Sequence, residues 1–156
     1  MKQLLMFALL CMGLNFASAQ SLTIHNTTMC DVHYLMYGDD PMGNCGASYR
    51  SNIYTLNGGN SITYANPSFV PAPGMVNSSS MVLGAGGWFS HVRFPQCNPA
   101  YCPGCSTGSV AVGDVSCGAS NTASHSFLDA SCMVSACGMV NIIYTNVGGN
   151  VTVTIF

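Results

Sequence analysis

The stretch Ser21–Tyr37, SLTIHNTTMCDVHYLMY, is where the fold is read. Leu22, Ile24 and Asn26 alternate with Thr23, His25 and Thr27, and after Met29 the alternation resumes with Val32, Tyr34 and Met36 against His33 and Leu35. A period of two marks strands with one buried face. Folded as a hairpin about Met29, the stretch places Leu22 opposite Met36, Ile24 opposite Tyr34 and Asn26 opposite Val32. The other face pairs Thr23 with Leu35, His25 with His33 and Thr27 with Asp31. One apolar and one mostly polar face is what a half-buried antiparallel pair requires, and a one-residue slip would spoil the sorting. The stretch is therefore expected to be a hairpin.

The same signals recur downstream. Asn52–Leu56 and Ser61–Ala65 flank Asn57-Gly58-Gly59-Asn60, while Asn141–Asn146 and Val151–Phe156 flank Gly148-Gly149. Both read as hairpins with Gly-Gly turns. The second is expected to put Ile142, Tyr144, Val151, Val153 and Ile155 on one face, and Thr145, Thr152 and Thr154 on the other. Both carry Tyr-Thr-x-x-Gly-Gly-Asn, at Tyr54–Asn60 and Tyr144–Asn150; convergent turn chemistry explains this better than an internal repeat, because the match ends at the turn. Trp88–Phe94, Val110–Val115 and His125–Leu128 are further strand candidates, separated by the Pro, Ser and Gly-rich Asn66–Gly87 and the cysteine-rich Gln96–Gly108. No helical period is visible. Many short strands with turn signals predict an all-β fold, an antiparallel β-sandwich of Ig-like or jelly-roll-like type stapled by disulfides, with a small closed β-barrel as the alternative. The last strand is expected to pair inside a sheet.

Composition sets the class of partner. Of 156 residues 5% are charged, with three Lys plus Arg, against about 25% charged in an ordinary domain. Nucleic-acid surfaces and polybasic membrane anchors both need clustered cations and are excluded. Lys2, the apolar Leu4–Leu14 and Ala17-Ser18-Ala19 read as a signal peptide over residues 1–19, too short to span a membrane, leaving residues 20–156 as one secreted domain. That span keeps Arg50, Arg93 and five aspartates, a formal charge of −3. Its hydroxyl and amide surface suits a neutral partner such as a glycan, or copies of the chain itself. Cleavage also removes Cys11 and leaves Cys30, Cys45, Cys97, Cys102, Cys105, Cys117, Cys132 and Cys137, an even set expected to form a disulfide framework. A Cys30–Cys45 bridge is disfavoured, because the strand Asp31–Tyr37 would hold its ends roughly 23 Å apart at about 3.3 Å per residue.

Four features bear on chemistry. Cys102-Pro103-Gly104-Cys105 has redox spacing but lacks the strand–helix context of that motif, so structural bridges are expected. His25, His33 and Asp31 are candidate ligands for copper or zinc in the hairpin register. Asp39-Asp40-Pro41-x-x-Asn44 gathers oxygens that calcium would use, although a solvated turn needs no ion. The serine-rich runs at Asn77–Ser80 and Ser116–Ser126 lack a Gly-x-Ser-x-Gly elbow. Asn26, Asn77 and Asn150 begin N-glycosylation acceptor patterns. Trp88 and Tyr101 are the aromatics nominated to stack on a sugar. Together these favour a secreted, non-catalytic protein for binding or assembly, structural or adhesive in kind. A carbohydrate-binding module is the first alternative and a metal-dependent secreted enzyme the second.

Ile24-x-Asn26-x-Thr28 followed by Val32-x-Tyr34 resembles the first hairpin of several secreted β-sandwich groups, thaumatin-like proteins among them. The resemblance ends at Tyr34, the later cysteines follow a different layout, and no functional residue carries over.

Overall fold

The computed structural model describes residues 20–40, 45–105 and 108–156. The segment read as a signal peptide lies outside the described residues, as do Pro41–Asn44 of the aspartate-rich turn. Ten strands follow in chain order: β1 (Leu22–Asn26), β2 (Val32–Asp39), β3 (Tyr49–Arg50), β4 (Tyr54–Leu56), β5 (Ser61–Tyr64), β6 (Trp88–Pro95), β7 (Ser109–Gly113), β8 (Thr122–Leu128), β9 (Val134–Val147) and β10 (Asn150–Ile155). The described helical structure consists of two three-residue 3-10 turns, at Pro67–Phe69 and Val115–Cys117. The strands form two sheets, ordered β5-β1-β10-β9-β8 and β3-β2-β6-β7, with β4 also paired to β2. This is an all-β sandwich and not a closed barrel.

The opening hairpin is corrected. β1 and β2 belong to different sheets: β1 pairs antiparallel with β5 and parallel with β10, and β2 pairs with β3, β4 and β6. Thr27–Asp31 therefore forms an arch between the sheets. The facing of the side chains survives the change, because Leu22, Ile24, Val32, Tyr34 and Met36 are all buried. A hairpin and an arch both send alternate residues inward, so periodicity does not separate them. Asn26 decides between them. It is buried; its Nδ2 donates to the Cys30 and Leu56 carbonyls at 2.7 and 3.1 Å, and its Oδ1 accepts from Thr28 N and Oγ1 at 3.2 and 2.7 Å. These bonds satisfy the arch's buried polar groups without a hairpin ladder. They also leave Asn26 no surface for a glycan.

The Asn57–Asn60 turn is likewise an arch, since β4 joins the second sheet and β5 the first. The two arches stack: Gly59 N donates to the Thr28 carbonyl at 2.8 Å and Asn26 N to the Asn60 carbonyl at 2.9 Å. Gly58 lies so close to the first arch that a Cβ there would run into the Met29 carbonyl. By contrast β9 and β10 form the expected hairpin, with Val147 opposite Asn150 and both Gly148 (φ 59°) and Gly149 (φ 88°) in the left-handed region. Ile142, Tyr144, Val151, Val153 and Ile155 are buried as expected. One heptapeptide pattern thus makes two different structures.

β10 sits between β1 and β9, inside its sheet as expected, although its parallel pairing with β1 departs from an all-antiparallel sandwich. The core is closed by Phe89, Val92, Phe94 and Val112 from the second sheet against the apolar faces of β1, β9 and β10. Between the sheets, the Tyr34 and Tyr64 hydroxyls meet at 2.7 Å in a buried hydrogen bond. Burial and that bond hold the Tyr34 hydroxyl far above its ordinary pKa. All eight cysteines are paired, as Cys30–Cys137, Cys45–Cys117, Cys97–Cys102 and Cys105–Cys132. Cys30 thus avoids Cys45, and Cys102 and Cys105 bond elsewhere, so the C-x-x-C spacing does not make a redox pair.

Candidate functional site

β2 is buried on both faces. His33, placed by the hairpin reading on an exposed face, is only 5% exposed. The cause is the loop Gln96–Cys105, which crosses the outer face of the second sheet and sets the Tyr101 ring over His33, with centroids 6.0 Å apart and planes 24° apart. On one side of this loop lies a cleft of about 310 Å3 walled by Asp31, His33, Thr55, Tyr101, Asp129 and Ser135.

Each wall has an identifiable support. Thr55 of β4 is the direct cross-strand partner of His33, and its Oγ1 lies 3.0 Å from His33 Nδ1. Phe127 packs edge-on against the His33 ring at 6.3 Å. Burial lowers the His33 pKa and Asp31 only partly offsets this, so the imidazole is neutral at pH 7. Asp129 holds the β8–β9 turn by accepting from Ser131 N and Met133 N at 2.8 and 3.1 Å. Ser135 comes from a wide bulge in β9: the ladder jumps from Ser126 opposite Met139 to Leu128 opposite Val134. That bulge also delivers Cys137 to Cys30.

Two disulfides fix the mouth of the cleft. Cys97–Cys102 closes the loop that carries Tyr101, and Cys105–Cys132 ties the same loop to the turn that carries Asp129. Within the closed loop, Tyr101 N and Cys102 N both donate to the Asn98 carbonyl, at 2.8 and 3.1 Å. Tyr101 is 60% exposed, yet mounted on a cross-linked loop and backed by His33. Ser135 lines the same cleft, and its Oγ is buried without a hydrogen-bond partner among the described residues. Such a group has unused donor and acceptor capacity. An exposed aromatic face and two carboxylates form a set that packs on and hydrogen-bonds to a polyhydroxylated molecule.

The residues nominated from sequence are partly brought together. Asp31, His33 and Tyr101 share the cleft, whereas His25 and Trp88 stand elsewhere. His25 faces β5, with Nδ1 2.6 Å from Ser61 Oγ, so the proposed His25–His33 metal pair is split between two sheets. Among the described residues no group of three or more His, Cys, Asp or Glu is placed to hold a metal. Asp39 directs both oxygens at the backbone, accepting from Ala47 N and Ser48 N at 2.8 and 2.9 Å, and Asp40 accepts from the Tyr49 hydroxyl at 3.1 Å. Trp88 begins β6 opposite Asp39, roughly 23 Å of strand from Pro95, after which the Tyr101 loop starts. Trp88 and Tyr101 therefore do not form one platform. The phase of β6 also changes: Ser90 is an extra residue between the His91–Tyr37 and Phe89–Gly38 pairs, so Phe89 turns inward and Trp88 does not share the face of Val92 and Phe94.

Sequence alone does not single out Thr55, Asp129 and Ser135. Thr55 and Ser135 look like ordinary strand hydroxyls, and Asp129 like a turn residue. The usable signal was Cys105 and Cys132, whose bridge gathers Asp129 to the cleft, but the pairing is not readable from spacing. Among the described residues no helix is long and apolar enough to cross a membrane. No protein-family model matches the chain, and neither the curated proteins nor the solved structures give a match to it.

Proposed function

We propose that this protein is a secreted, non-catalytic binding domain whose cleft beneath Tyr101 takes a neutral polyhydroxylated ligand, a glycan segment. The observation that carries the reading is Tyr101, solvent-exposed but fixed by the Cys97–Cys102 loop, at a cleft that Asp31 and Asp129 also wall. A preformed aromatic face limits the entropy lost on binding, and carboxylates at a cleft wall accept hydrogen bonds from the hydroxyls of a sugar. Secretion is supported by the leader-like residues 1–19 and by the complete pairing of cysteines 30–137.

The test is a neutral-glycan array followed by titration of the best binder with the wild type, Tyr101→Ala and Ser135→Ala. Tyr101 is exposed, so its removal leaves the core intact, and affinity is expected to fall about two- to tenfold, the scale of one lost stacking contact. Glycan binding that survives Tyr101→Ala unchanged would refute the assignment.

Assembly of copies is the second reading, favoured by a different surface. Met29 is 98% exposed, Met139 74% and Phe156 52%, and all three border a groove beside Cys30–Cys137. Exposed apolar side chains clustered on a weakly charged surface suit self-contact. Light scattering on the eluted, oxidised protein separates the two readings: a monomer disposes of assembly.

A further inference from the structure

Residues 20–156 contain two cationic side chains, Arg50 and Arg93, and both line the same groove of about 580 Å3. Nothing in the chain's order brings them together. Arg50 is on β3 and Arg93 on β6, and β2 runs between those strands. Register places Arg50 opposite Tyr37 and Arg93 opposite Leu35, two residues further along β2 on the same outer face. With strands about 4.8 Å apart and about 3.4 Å per residue, their Cα atoms stand roughly 12 Å from each other across the groove. Both residues are exposed and line it from strands on either side of β2.

The charges are not neutralised from within. Among the described residues no carboxylate lines the groove, whose other walls include Tyr37, Ser51, Asn52 and Asn98. The five acids lie elsewhere: Asp39 on Ala47 N and Ser48 N, Asp40 on the Tyr49 hydroxyl, Asp114 on Ser116 and Asn146, Asp129 on its turn, and Asp31 in the Tyr101 cleft. On a domain carrying net negative charge, this is a local positive site. It lies across the Cys97–Cys102 loop from that cleft, with Asn98 to Ala100 on this side and Tyr101 on the other.

We infer that this groove binds an acidic glycan segment, with Arg50 and Arg93 each taking a carboxylate or sulfate group. Planar guanidinium forks match such groups with paired N–H donors. The amides and hydroxyls between them match the uncharged hydroxyls of a sugar chain, and an open sheet face accommodates an extended polymer. The inference is independent of ligand binding in the Tyr101 cleft.

The experiment uses the oxidised full domain with four probes: polygalacturonate for carboxylate, dextran sulfate for sulfate, neutral dextran, and poly-L-glutamate. Wild type is expected to bind at least one acidic polysaccharide, more weakly as salt is raised, and whichever binds more tightly identifies the anionic group. Arg50→Gln and Arg93→Gln should each weaken binding about tenfold, and the double variant more, with the melting temperature unchanged because both side chains are exposed. Binding no stronger than to neutral dextran, or unchanged in the double variant, would overturn the inference. Equal affinity for poly-L-glutamate would overturn the assignment to a glycan.

Discussion

Changing Asn26 to aspartate replaces one atom of the arch and tests the whole connection. In the native chain Nδ2 supplies a hydrogen to the Cys30 and Leu56 carbonyls, within a residue that is 1% exposed. In Asn26→Asp an oxygen takes that place. Both carbonyls lose this donor, each loss costing about 1–3 kcal/mol, so the expected destabilisation at pH 7 is about 4 kcal/mol. For a domain of this size that is a fall in melting temperature of about 12–16 °C, at about 3–4 °C per kcal/mol. The effect also has a sign in pH. A carboxyl facing carbonyl oxygens keeps its proton, so its folded pKa lies above the unfolded value of about 3.9. The folded state then holds the extra proton, and the deficit relative to wild type shrinks below about pH 4 and grows as pH rises through the folded pKa. The assay is thermal unfolding by circular dichroism at pH 4 and pH 7, with disulfides intact. A deficit under about 1 kcal/mol at pH 7, or one equally large at pH 4, would refute the account of Asn26 as the clamp between two arches.

Three further outcomes follow from the same structure. Tyr64→Phe should cost about 1–2 kcal/mol by stranding the Tyr34 hydroxyl, while adding Tyr34→Phe should recover most of the loss, which a double-mutant cycle in denaturant measures. Cys30→Ala with Cys137→Ala opens a loop of 107 residues, which the Cys45–Cys117 bridge shortcuts to about 35, for a loss of about 4 kcal/mol; Cys97→Ala with Cys102→Ala opens one of 5 and should cost about 2 kcal/mol, and comparable melting temperatures would contradict the loop-entropy argument. Burial lowers the pKa of His33, His91 and His125, so the unfolded chain binds the extra protons and stability should decline as pH falls below about 6.5; His125→Leu should flatten that decline, as followed by melting temperature from pH 7 to pH 5.

The sequence carried the facing of side chains far better than their pairing. Leu22, Ile24, Tyr34 and Met36 point inward as the alternation requires, but alternation is a property of one strand and contains no information about its neighbour. Turn chemistry supplied that information where the turn was local. Gly148-Gly149 has two residues in the left-handed region and makes a hairpin. In Gly58-Gly59 only Gly59 is left-handed, and Gly58 is there because the Met29 carbonyl leaves no room for a side chain. The first part of β9 was missed because Ser135, Cys137 and Gly138 interrupt its pattern with the bulge that builds the cleft. The cleft itself was half legible. Tyr101, His33 and Asp31 are legible as isolated chemistry, but their meeting depends on a loop crossing the sheet and on bridges that spacing leaves open. Arg50 and Arg93 were visible only as a low count; their convergence is a consequence of β2 inserting between β3 and β6.

The parallel pairing of β1 with β10 also sets an order of events. Leu22 finds its partner Val151 only after the 128 residues between them have been made, roughly ten seconds at about 5–20 residues per second. Throughout that interval β1 has an open edge where β10 belongs, and Cys30 waits for Cys137 while Cys45 is already at hand. Of the four native bridges only Cys97–Cys102 joins cysteines that are neighbours in sequence. Oxidation in the order of emergence would therefore give mostly wrong pairs. From such pairs the finished sandwich would be reached only by thiol–disulfide exchange after its last strand arrives.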